Sequence, residues 1–136
     1  MDGISALTRQ LAELAGDADA VMTEVVSNLA IDTEREAKQG IQRGPATGAV
    51  RPDGSRASAP GEYPMSDTGR LANSVVTLFD ISTKGKIAEV GTNVQYGRYL
   101  EFGTSRMAAR PWLLPSFNKA KVGVEAKLKR AIERAL

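Results

Sequence analysis

Ser74-Val-Val-Thr-Leu-Phe-Asp-Ile81, then Ser82-Thr-Lys-Gly-Lys86, then Ile87-Ala-Glu-Val-Gly-Thr92 is the stretch on which the fold turns. The first run is rich in β-branched and aromatic residues and reads as a strand. The polar run after it, with Gly85 able to take a positive φ, reads as a hairpin loop. The third run is the return strand. Val75, Thr77, Phe79 and Ile81 share one face of the first strand, and Val76 and Leu78 share the other. Apolar residues on both faces predict a hairpin covered on both sides, at least in part. Phe79 is expected in the core. A lone hairpin is marginal in water, so this one must pack on helices or pair with further strands.

Helices flank the hairpin in the sequence. On the N-terminal side Ile4, Leu7, Leu11, Leu14, Ala18, Val21, Val25 and Leu29 recur at spacings of three and four, the mark of a helix with one apolar face. Gly16-Asp17 is a weak point, so either one long helix or two helices meeting there is expected. The spacing also suits a coiled-coil seam, but polar Asn28 falls on it, and core packing is the expected use. Glu34 and Lys38, four apart, support the last turns, and Gly40 to Gly44 end the helix. Asp67 or Thr68 is expected to cap a short helical turn over residues 69–73. Gln95 to Phe102 reads as a short helix broken by Gly103. Pro115 suits the first turn of a last helix, whose apolar stripe is Phe117, Ala120, Val124, Leu128, Ala131, Ile132 and Ala135. The fold expected is α+β: a small antiparallel sheet built on the hairpin, packed against a long N-terminal helix and a C-terminal helix, with a long mobile loop. Residues 1–136 form one domain, divided into a helical region (1–43), a loop (44–67) and the sheet with the last helix (68–136).

The loop is turn chemistry throughout, with Pro52-Asp53-Gly54 and Pro60-Gly61 as turn signatures. So long a structureless segment is either a linker or functional. Arg51, Arg56 and Tyr63, with Arg43 beside them, favour an arm that orders against a neighbour, because Arg and Tyr are enriched at interfaces.

Composition removes most enzyme chemistry. The 136 residues include no cysteine and no histidine. Disulfides, thiolate and imidazole metal sites and a Ser-His-Asp arrangement are thereby excluded. Ser58, Ser74 and Ser105 have no evident base, and Asp80, Glu89 and Glu101 are not spaced as a metal-ligand set. The glycines between Gly40 and Gly61 lack the ending of a phosphate loop. No enzyme activity, cofactor or metal is expected. The N-terminus shows no signal peptide and no run is apolar enough to span a membrane, so the cytoplasm of the producing cell is the default. A net charge of +2 does not by itself argue for nucleic acid. Lys127, Lys129 and Arg130 on the basic face of the last helix are candidate phosphate contacts, and a small nucleic-acid-binding module is the alternative reading. A solvated amphipathic helix explains them equally.

What remains is Tyr96-Gly-Arg-Tyr-Leu-Glu-Phe-Gly-Thr-Ser-Arg-Met-Ala-Ala-Arg-Pro-Trp-Leu-Leu-Pro-Ser-Phe117, which holds five of the chain's seven aromatics. Tyr96, Arg98, Tyr99, Glu101, Phe102, Arg106, Arg110 and Trp112 are the candidate subunit interface, since Tyr and Arg anchor protein contacts. The alternative is that Tyr99, Leu100, Phe102, Trp112 and Leu113 are core, sealing the sheet against the helices; for Phe102 and Trp112 the two roles weigh evenly, whereas the tyrosines and arginines favour the interface.

This run, together with Arg56-Ala-Ser-Ala-Pro-Gly-Glu-Tyr-Pro-Met-Ser-Asp-Thr-Gly-Arg-Leu-Ala-Asn-Ser-Val75, resembles the two motifs of the small tail-component, or neck, proteins of long-tailed bacteriophages and prophages. Tyr63 stands where a small residue is usual after the glutamate, and Trp112 where phenylalanine is usual. The resemblance implies a virion structural protein at the head–tail junction, present in the host cytoplasm during assembly and acting in tail completion or head–tail joining. It implies rings, commonly of six copies, whose partners are further copies and other neck, portal-side or tail-tube proteins. DNA passes through such a ring only as cargo, and no membrane is involved.

Overall fold

The computed structural model describes residues 2–65, 69–81 and 85–135, except for the side chains at 2, 11, 14, 15, 17, 131, 132 and 135. The elements are α1 (Asp2–Arg43), α2 (Arg70–Ser74), β1 (Val76–Ile81), β2 (Lys86–Gly91), α3 (Gln95–Phe102) and α4 (Leu114–Ala135). The architecture is α+β, as expected from the sequence.

α1 runs unbroken through Gly16 for 42 residues, about 63 Å at 1.5 Å per residue. The Gly44 N–H donates to Gly40 O at 2.8 Å and closes its last turn. The apolar stripe is used unevenly. Ile4, Leu7 and Val21 are exposed, and Val25 and Leu29 are half-buried. The buried positions follow them, at Ala30, Thr33, Ala37 and Ile41. The reason is where the partners lie. α4 returns along α1 in the opposite sense, setting Val124 and Leu128 beside Val21 and Val25, and the core gathers at the C-terminal end of α1. On α4, Ala120 and Val124 are buried and Phe117 is exposed. The stripe positions Leu11, Leu14, Ala131, Ile132 and Ala135 lie outside the described side chains.

The hairpin forms in the expected place, with Val76 paired to Gly91, Leu78 to Glu89 and Asp80 to Ile87. The intervening positions, Thr77 and Phe79 opposite Val90 and Ala88, turn toward α1. Lys86 Nζ pins the tip of the hairpin to Asp19 of α1 at 2.8 Å. The loop positions 82–84 lie outside the described residues. Two expectations fail here. The outer face, carrying Val76, Leu78 and Ile87, is bare. Phe79 is 48% exposed rather than core. A sheet of two strands has only enough width for α1 to cover β2 well, and β1, which carries Phe79, lies farther out.

The core joins Ala37 and Ile41 of α1, Leu71 and Ala72 of α2, Val75, Val94 and Trp112. Gly97 is a close approach: a Cβ there would lie 2.6 Å from Thr92 Cγ2, and its carbonyl accepts the Trp112 indole N–H at 2.8 Å. α2 begins at Gly69 (φ 76°) without a side-chain cap. The expected caps, Asp67 and Thr68, lie outside the described residues.

Candidate assembly surface

α3 sorts the candidate interface residues by helical phase. Gly97 turns inward and Leu100 is half-buried. Tyr96, Arg98 and Tyr99 turn to solvent, and Phe102 is 77% exposed. Gln95 Nε2 donates to Tyr99 Oη at 3.2 Å and holds that ring along the helix. Gly103, at φ 73°, ends α3. A tight turn follows, in which the Thr104 N–H donates to Met107 O at 2.8 Å and Arg106 projects outward.

The other three residues of the set face inward. Trp112 is 2% exposed and belongs to the core, which corrects its assignment to the interface; its indole is too large to leave wet once Gly97 offers a slot and an acceptor. Glu101 is bonded within the chain. Its Oε2 accepts the Trp112 and Leu113 N–H groups at 2.8 Å each, and Oε1 accepts the Leu114 N–H at 3.0 Å. It therefore satisfies free donors at the start of α4. Arg110 Nε donates to Ser58 O at 3.1 Å and ties the loop to the body.

The loop is fastened rather than free. Its tip is a small turn: Gly54 (φ 86°) follows Pro52-Asp53, and Val50 bridges Arg56. Asp53 accepts both the N–H and the hydroxyl of Ser55, which hold its carboxyl below the usual carboxylate range. Arg56 is exposed at the tip and reaches Gly48 O at 3.3 Å, and Arg51 is half-buried. Tyr63, assigned to an arm, instead packs on the core. Its hydroxyl bonds Ser116 Oγ at 3.0 Å, Lys119 Nζ stands 4.9 Å over its ring, and the ring fills the space that only a glycine at position 40 leaves open.

Glu62 is the second fastener. The Thr47 hydroxyl donates to Oε1 at 2.5 Å, and the Ala59 and Thr47 N–H groups donate to Oε2 at 2.8 and 3.1 Å. These bonds, the Thr47 hydroxyl first, hold the carboxyl below its ordinary 4.5, with the nearby Arg110 cation assisting. A depressed carboxylate stabilises the loop above its unfolded pKa, and the contribution is lost as pH falls through the folded value. The Thr47 and Ala59 amide resonances should therefore titrate together with a midpoint below 4.5, and Glu62→Gln should abolish the transition. A midpoint at or above the ordinary value would show that the staple does not form.

Beside Phe102 opens an apolar groove of about 460 Å³ between α1, the inner face of β2 and the start of α4. Leu29, Ala88, Val90 and Leu113 line it, and Phe102, Leu114 and Phe117 stand exposed around it. Glu101 also lines it, with both oxygens engaged. Such a surface suits docking rather than bond-making. Of the candidate phosphate contacts, Lys127 Nζ lies 3.8 Å from Asp32, which Arg35 also meets at 3.0 Å; Lys129 and Arg130 are exposed. Among the described residues no helix is long and apolar enough to cross a membrane, and no His, Cys, Asp or Glu side chains cluster as a metal site would require.

Sequence reading missed the capping role of Glu101, the Ser116 anchor and the groove itself. Extending the α1 stripe by its own spacing of four would have found Ala37 and Ile41. Residues 5–103, from α1 to the end of α3, match the family model described as "Bacteriophage HK97-gp10, putative tail-component". No curated protein and no solved structure matches the chain.

Proposed function

The chain belongs to the HK97-gp10-like family of bacteriophage tail components, and on that premise we propose that it is a virion protein of the head–tail junction, acting in tail completion or head–tail joining as a ring of copies. The observation that carries the reading is the exposed aromatic and arginine face of α3. Tyr96, Arg98, Tyr99, Phe102 and Arg106 stand in solvent next to an open apolar groove. Aromatic side chains anchor protein contacts because they bury much area for few rotatable bonds, and arginine adds a planar cation with several donors. The partners are further copies and other neck, portal-side or tail-tube proteins. DNA crosses the ring as cargo, and the protein works by binding.

Mass photometry and electron microscopy of concentrated protein, alone and with tail-tube protein added, test this. Discrete closed oligomers are expected. A strict monomer at every concentration, with and without tail-tube protein, would overturn the ring.

A further inference from the structure

Among the described residues, two of the uncovered apolar surfaces lie on opposite sides of the sheet. One is the outer face of the hairpin, where Val76, Leu78 and Ile87 are exposed. The other is the groove edged by Phe102, Leu114 and Phe117, into which β2 turns Ala88 and Val90. Because side chains alternate along a strand, Ile87 and Glu89 point away from that groove. A residue pattern that is apolar on both faces asks for a cover on the outer face, and no described element of the chain supplies it.

The charges around the two surfaces say what the cover is. The charged residues of the outer face are Asp80 and Glu89, both acidic. Glu101 lines the groove with its carboxylate already engaged by three backbone N–H groups, and the charges left to flank it are cations: Arg98 sits one helical turn before Phe102 on α3, and Lys121 one turn after Phe117 on α4. Lys121 has only a long, exposed contact with Glu125 at 3.9 Å. Two outer faces set together would oppose carboxylates, and two grooves set together would oppose cations. Face against groove joins unlike charges and unlike shapes.

We infer that the outer face of the hairpin of one copy seats in the groove of the next, with Leu78 and Ile87 against Phe102, Leu114 and Phe117, and with Asp80 and Glu89 toward Arg98 and Lys121. This rests on the ring reading above and names both halves of its contact. A contact between different surfaces leaves one of each free on every pair, so it propagates, and it closes into a ring where the rotation divides a full turn.

The test uses two exposed positions whose replacement leaves the core untouched, Leu78→Lys on the face and Phe102→Glu in the groove, in the full chain, followed by sedimentation velocity. Each variant alone should self-associate at least tenfold more weakly than the unmodified protein. Mixed in equal amounts they should form a dimer of twice the 14.5 kDa chain mass and stop, because Leu78→Lys keeps a working groove and Phe102→Glu keeps a working face. A second set guards against misfolding: Asp80→Lys with Glu89→Lys should lose assembly and regain it when mixed with Arg98→Glu, Lys121→Glu chains. If the unmodified chain assembles and Leu78→Lys assembles equally well, or if the folded variants stay monomeric when mixed, this contact is wrong and the ring stands. If the unmodified chain never assembles, even with tail-tube protein, the ring falls and this contact with it.

Discussion

Trp112→Ala lowers the stability of the folded chain by about 3–5 kcal/mol, the range for emptying a buried aromatic site. The indole sits between Ala37 and Ile41 of α1, Leu71 and Ala72 of α2, and Val94. These neighbours belong to two helices and the segment that leads into α3, and cannot all collapse into one void. The substitution also removes the donor to Gly97 O at a close approach in the core, and leaving such a group unpaired adds a cost of its own. Trp112→Phe keeps most of the ring and loses the N–H, so its cost falls between Ala and the unmodified chain. Urea denaturation with an unchanged slope reads both numbers directly. Against a total of about 5–15 kcal/mol for a domain this size, the alanine variant has little reserve at 37 °C. An alanine variant within about 1 kcal/mol of the unmodified protein would return Trp112 to the interface.

Trp112 and Phe102 also show how far the sequence could be read. Composition makes both fit for core or contact, and the structure sends them opposite ways. The deciding fact is the phase of α3, which turns Gly97 inward and Phe102 outward. Eight residues form barely two turns, too few for a stripe to declare itself. The hairpin was legible because its signal is local, lying in alternation, β-branching and a polar loop. Its two apolar faces were legible too, but their meaning was not: no described element of the chain supplies the second cover. α1 was legible as a helix, and the buried part of its face only in part. Ala37 and Ile41 continue the stripe at its own spacing of four, but Ala30 and Thr33 are small residues with weak hydropathy that are selected by how closely neighbouring elements approach. The loop read as mobile because no periodic pattern marks it. Its internal bonds, such as those of Glu62 to Thr47 and Ala59, come from scattered polar residues, and the bonds that tie it to the body are remote: Tyr63 to Ser116 spans 53 positions, and Arg110 to Ser58 spans 52. Pairings at that separation carry no periodic signal.

Glu101→Ala should cost about 2 kcal/mol, and Glu101→Gln roughly half of that, within the range for lost helix caps and charge-assisted hydrogen bonds. In the structure one carboxylate accepts three consecutive backbone N–H groups, those of Trp112, Leu113 and Leu114. α4 begins at Leu114 and has Pro115 in its first turn, so the carboxylate takes the place of a local capping side chain. Its negative charge also meets the positive end of the α4 dipole. Alanine removes every acceptor. Glutamine keeps one oxygen in the same reach and loses the charge, which separates the bonding part of the effect from the electrostatic part. The consequence extends beyond stability. Trp112 is the first residue of the anchored segment, and Leu114 and Phe117 stand at the groove from the first turn of α4. Releasing that turn should loosen the groove before it unfolds the core, so Glu101→Ala should weaken self-association under conditions where the Trp112 fluorescence still reports a folded chain. Denaturation midpoints and sedimentation of the two variants side by side decide it. If Ala and Gln match the unmodified protein in both, the three bonds contribute nothing and α4 is held by its packing on α1 and its contacts with Tyr63.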